Sequence, residues 1–119
     1  MTDGVKVINM ISSDVMRGYN DTIVLALLLV NDSYGYEIGQ NIKNLTQGIY
    51  TIKETTLYST FARLEKQGYI NSYQGDKTHG RARTYYQVTD SGKEYYNEKK
   101  EEWHHVKEVM TLFTKEIKL

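Results

Sequence analysis

The sequence has no cysteine and no proline, a single tryptophan and no net charge across its 119 residues. The lack of cysteine rules out disulfides, removes most zinc sites and fits a cytoplasmic compartment. No apolar run reaches the roughly 18 residues that a membrane span needs. The opening "MTDGVKVINM" lacks the basic start and long apolar stretch of a signal peptide. No internal repeats or low-complexity tracts appear. Zero net charge argues at first against nucleic acid, but charge acts locally and is unevenly spread. Residues 1–50 carry 3 basic and 5 acidic side chains, residues 51–83 carry 6 and 3, and residues 84–119 carry 6 and 7. The differences are −2, +3 and −1, so affinity for an anionic polymer belongs to the middle third.

What is present reads as one globular domain, with 39% hydrophobic and 25% charged residues. A chain of this size buries about two-thirds of its unfolded surface, a thin core that oligomerisation helps. Residues 1–12 read as a flexible N-terminal extension. "SSDVMRGYNDTIVLALLLVND" predicts a helix from about Asp14 to Val30, capped by Ser13 and buried in its later half. "SYGYEIGQNIKNLTQG" predicts a second helix, with Ile38, Ile42 and Leu45 on one face and Gly48 as its stop. "TIKE" has the form of a capping box, although Lys53 serves equally as the cap, and it opens a third helix that ends at Gly68. "YINSYQG" and "ARTYYQVT" are two strand-like runs joined by the basic, turn-rich "DKTHGR", a hairpin with a long tip. One long helix then runs from Asp90 or Ser91 to the end. Its Tyr96, Trp103, Met110 and Ile117 recur every seven residues, with Val106 and Phe113 between, as in a coiled-coil seam that pairs with a second copy.

Three helices, a hairpin and a dimerising helix make a winged helix-turn-helix, a mainly α fold with a small β-hairpin. Residues 13–90 form the DNA-binding domain and residues 91–119 the dimerisation helix. In the third helix, "TTLYSTFARLEKQGYI", Leu57, Phe61 and Leu64 fall on one stripe while Thr55, Ser59, Ala62 and Lys66 point away. A face that is small and hydroxylated at its start and basic at its end suits a major groove about 12 Å wide, with cations where the helix meets phosphate. Thr55 and Ser59 are expected to touch base edges, Ala62 a thymine methyl, and Thr56 and Tyr58 backbone oxygens. Lys53, Arg63 and Lys66 complete the expected contacts of this helix. The cations of the hairpin tip, Lys77, His79 and Arg81, are placed at phosphate or the minor groove.

The blocks "YGYEI", "TLYSTFARLEKQGYI" and "GRARTYYQVTDSG", followed by the terminal helix, together resemble the PadR family of bacterial transcriptional regulators from Ser13 to Leu119. "SYQGD" and "WHHV" look especially like its small, short-tailed branch, which includes a lactococcal multidrug-responsive repressor. The resemblance implies a homodimeric repressor of transporter or detoxification genes, released by a small molecule. It assigns Thr55, Thr56, Tyr58 and Ser59 to the start of the recognition helix and Lys77, His79, Arg81 and Arg83 to the wing. Tyr36 falls where family members approach a phosphate. It also implies an effector platform at Trp103, facing its copy across a flat pore, with Val15 on the apolar wall. Lys99, Lys100 and Lys107 depart from the multidrug relative and favour an anionic or phenolic effector, or no ligand at all, over a cation.

Two readings of Trp103 stand at this point, a ligand platform and dimer packing. A dimer that binds ligands or partners with weak DNA affinity is the alternative to a regulator. His104 and His105 are about 100° apart on their helix and do not make a metal pair of the i, i+4 kind. The carboxylates of the last helix alternate with lysines as solvated helix support. No catalytic group, cofactor or metal is expected.

Overall fold

The computed structural model describes residues 11–75 and 82–117. Its elements are α1 (Ser13–Met16), α2 (Asn20–Val30), α3 (Gly35–Leu45), α4 (Glu54–Lys66), β1 (Ile70–Gln74), β2 (Thr84–Val88) and α5 (Asp90–Thr114). The single helix predicted from Asp14 to Val30 is broken at Arg17–Tyr19. The cap is Ser12 rather than Ser13, its hydroxyl accepting from the Val15 amide at 3.3 Å. Gly18 sits in the break, where the helical conformation costs glycine about 1 kcal/mol relative to alanine. The break lets Met16 turn into the core while α2 runs on through it, burying Val24, Leu25 and Leu28.

Helix α3 buries Ile38 and Ile42 and stops where Gln47 and Gly48 take positive φ values of 52° and 80°. Helix α4 begins at Glu54, with Lys53 in the cap position and no capping hydrogen bond from the Lys53 side chain. Its stripe of Leu57, Phe61 and Leu64 is buried as the spacing predicts, and Thr60 is buried with it. At its other end Gly68, with φ 80°, donates its amide to Glu65, and the next amide, of Tyr69, reaches back to Leu64. This double closure satisfies the last carbonyls and needs the left-handed conformation that glycine adopts without steric cost.

The hairpin pairs Ile70 with Val88 through to Gln74 with Thr84, antiparallel. Ser33 adds a short third bridge, exchanging backbone hydrogen bonds with Tyr86 at 3.3 and 2.8 Å. Phe61 stacks on Tyr86 at 4.0 Å between ring centres, joining α4 and the hairpin in one core. Only the first part of α5 lies on that core, through Tyr95 and Tyr96. The rest projects away, leaving Met110 52% and Phe113 68% exposed in a molecule 59 × 40 × 20 Å across.

Candidate nucleic-acid interface

Helix α4 presents Thr55, Ser59, Ala62 and Lys66 to solvent along the face opposite its buried stripe, with Thr56 half-buried beside them. The Ser59 hydroxyl donates to the Thr55 carbonyl at 2.8 Å. Its oxygen lone pairs remain free to accept, and its proton can be given up to a stronger partner. Tyr58 is 47% exposed, its ring edge-on to Phe61 at 5.7 Å. Its hydroxyl lies so close above Gly35 that a Cβ there would stand 2.4 Å from it. The absence of a side chain at the first residue of α3 therefore sets where Tyr58 leaves α4.

Tyr36, 67% exposed, stands beside this contact. It shares with Lys43, Glu54 and Tyr58 the walls of an open groove of about 380 Å³ between α3 and the start of α4. Lys53 is exposed at the head of α4. Tyr36, Lys53, Thr55, Thr56, Tyr58 and Ser59 thus gather around the start of one helix. Of the wing cations, Lys77, His79 and Arg81 lie outside the described residues. Arg83 places its guanidinium carbon 4.6 Å from the centre of the Tyr34 ring, which in turn meets Tyr85 edge-on.

Arg63 is already engaged with a side chain of another helix. Its guanidinium pairs with Asp21 of α2 and keeps 45% of its side chain exposed. Sequence reasoning missed Asp21, which reads locally as an acid in the favourable first turn of a helix. Nothing in the local pattern places it against a residue 42 positions later.

The expected effector residues gather between α1, α2 and α5. Trp103, 42% exposed, meets Tyr19 edge-on at 5.4 Å. With Val15, Met16, Val106 and Met110 it lines an apolar groove of about 640 Å³ between α1 and α5. Lys99 forms an ion pair with Glu102 at 3.2 Å and lies 5.5 Å from the centre of the Tyr95 ring. The hydrogen bond to Glu102 and the nearby Tyr95 hold its ammonium above the usual lysine range. Burial raises the Tyr95 phenol, and Asp21 raises it further. Lys100 leans over Tyr96 at 5.7 Å, and Lys107 is exposed on α5. Tyr96 packs against the core of its own chain, Trp103 and Val106 are partly covered, and Met110, Phe113 and Ile117 are the exposed positions of the expected seam.

The signature of the transcriptional regulator PadR-like family matches residues 24–98, the stretch that holds α2 to the first turns of α5. The chain belongs to this family. It is a winged-helix transcriptional regulator, not an enzyme. A transcriptional regulator from Clostridium thermocellum has 59% identity and a TM-score of 0.82, over 88% of this chain and 99% of that one. An uncharacterised protein X from Lysinibacillus sphaericus is 49% identical over 104 residues, 87% of this chain and 95% of that protein. Bacillus subtilis PadR, solved in complex with operator DNA, shares the fold with a TM-score of 0.62 at 24% identity, over 70% of this chain and 46% of that one. Among the described residues of this PadR-like regulator no helix is long and apolar enough to cross a membrane.

Proposed function

We propose that the chain is a cytoplasmic, homodimeric repressor of the PadR family that reads a pseudo-palindromic operator. The observation that carries this reading is the division of α4 into a buried stripe and an exposed face of Thr55, Ser59, Ala62 and Lys66. The operator complex of Bacillus subtilis PadR supports DNA as the partner. Two copies of α4, related by the dimer axis, enter successive major grooves about one turn apart. Thr55 and Ser59 meet base edges, while Lys53, Lys66, Tyr36 and the wing cations meet phosphates.

The bare apolar half of α5 supports dimerisation, and the groove at Trp103 supports an effector that is planar and aromatic or phenolic. Such a ligand would change the spacing of the two recognition helices and release the operator. A transporter or detoxification gene is the proposed target, as for the multidrug-responsive branch.

The test is binding of the full-length protein to the DNA upstream of its own gene and to a random-sequence duplex, by fluorescence anisotropy. Thr55→Ala or Ser59→Ala is expected to weaken the upstream DNA by about 1–3 kcal/mol and leave the random duplex nearly unchanged, whereas Arg81→Ala weakens both alike. Equal losses on both DNAs from Thr55→Ala would remove the assignment of base contacts. No binding to either would favour a dimer that serves ligands or partners instead.

A further inference from the structure

Asp21 stands in the first turn of α2 with 14% of its side chain exposed, and it joins two other helices. Its Oδ1 accepts from the Arg63 guanidinium on α4, and its Oδ2 accepts from the Tyr95 hydroxyl on α5 at 3.2 Å. Tyr95 is itself stacked on Tyr69 at 4.2 Å, and Lys99 above it is paired with Glu102, next to Trp103 in the groove that those residues share. One carboxylate therefore touches both the helix that faces DNA and the helix that carries the apolar groove.

Resting on the DNA-binding reading of α4, we propose that Asp21 is a positioning residue that withholds the Arg63 charge from DNA phosphates and ties that restraint to the place of α5. A free guanidinium that meets a phosphate displaces counterions, and each such contact steepens the salt dependence by about 0.9 in log–log slope. A guanidinium already neutralised by a carboxylate must break that pair first and so adds little to sequence-independent binding. Discrimination between operator and other DNA gains from this, because non-specific affinity rests on just such contacts. The Tyr95 hydroxyl fixes the carboxylate in its pairing orientation. A movement of α5 that withdraws Tyr95 lets the carboxylate turn to water and opens the pair with Arg63 more often.

The experiment is a salt titration of the full-length protein on a random-sequence duplex and on the DNA upstream of its own gene. Asp21→Asn is expected to bind the random duplex several-fold more tightly at low salt, with a slope steeper by about 0.9 for each subunit engaged. Adding Arg63→Gln to that variant returns the slope to the wild-type value, which shows that the extra contact is Arg63. Tyr95→Phe, which keeps the ring stacked and the charge in place, steepens the slope in the same direction by less. The proposal is overturned if Asp21→Asn leaves the slope unchanged, or weakens both DNAs by the same factor, as loss of a merely structural joint would. A slope that stays steep after Arg63→Gln, or a Tyr95→Phe protein with wild-type slope, overturns it too. Wild-type protein that binds neither DNA would instead remove the DNA-binding reading, and the proposal with it.

Discussion

A Cβ added at Gly92 would come within 2.1 Å of the Tyr69 carbonyl oxygen, so the backbone of α5 passes too close to the hairpin for any side chain there. The contact sits in a knot of hydrogen bonds. The Thr89 hydroxyl donates to the Gly68 carbonyl at 2.7 Å and accepts from the Gly92 amide, while Ser91 also donates to Gly68. Because the obstructing atom is backbone, relief requires α5 to shift. Gly92→Ala is expected to cost at least about 1–3 kcal/mol, the usual penalty for forcing atoms into a packed site. Gly18→Ala, where nothing stands within 4 Å of the added carbon, is the matching control. Equal denaturant midpoints for the two variants would show that the α5 junction yields freely. Gly35 is the softer case, since the atoms above it belong to the Tyr58 side chain, which can swing aside. None of these roles is legible locally, because the sequence gives the glycines but not the carbonyl or ring that passes over them.

At the scale of elements, α4 was the most legible part of the chain. Its apolar stripe at helical spacing, its breaker at Gly68 and its polar outer face all appear in the structure as read. The long α5 starts at Asp90 as read, with Thr89 as its cap, but it ends at Thr114 where Lys115 turns extended, so Ile117 of the expected seam lies beyond the helix. The break between α1 and α2 was not read, because Ser13 and the apolar run from Ile23 suggested one continuous helix, although Gly18 within the polar stretch 17–21 marks it locally. In α5 the period-seven pattern joins positions with different environments. Tyr96 serves its own core, whereas Met110 and Phe113 keep more than half of their surface exposed. If those later residues form the dimer seam, Met110→Glu removes about 1.5 kcal/mol or more of burial per subunit, and roughly a hundredfold in dimer affinity for the two together. Sedimentation should then show monomers at concentrations where the wild type is dimeric, with helix content unchanged. A dimer that survives the substitution would move the interface off this face.

The whole molecule carries two distinct surfaces, the exposed face of α4 and the apolar groove at Trp103 between α1 and α5. Trp103 is the only tryptophan, so its fluorescence reports one place. If the groove is an effector site, titration with planar aromatic cations or with phenolic acids quenches that signal to saturation, and the response disappears in Trp103→Ala while the dimer remains. Absence of any response, with Trp103→Ala breaking the dimer, would make the residue part of the packing. The lysines expected to tune such a site are partly spent within the chain. Lys99 pairs with Glu102, and Lys100 leans on Tyr96, which softens the positive character read from the sequence.

The sequence by itself determined the winged-helix plan, the hidden and open faces of α4 and the start of α5. Each of these follows from periodicity and breakers within a dozen or so neighbouring residues. Only the tertiary structure decided that Asp21 would meet both Arg63 and Tyr95, that Gly35 would seat Tyr58, and that Tyr19 would stand against Trp103. Those partners are far apart along the chain, and their meeting depends on how helices with no shared local pattern pack around one thin core.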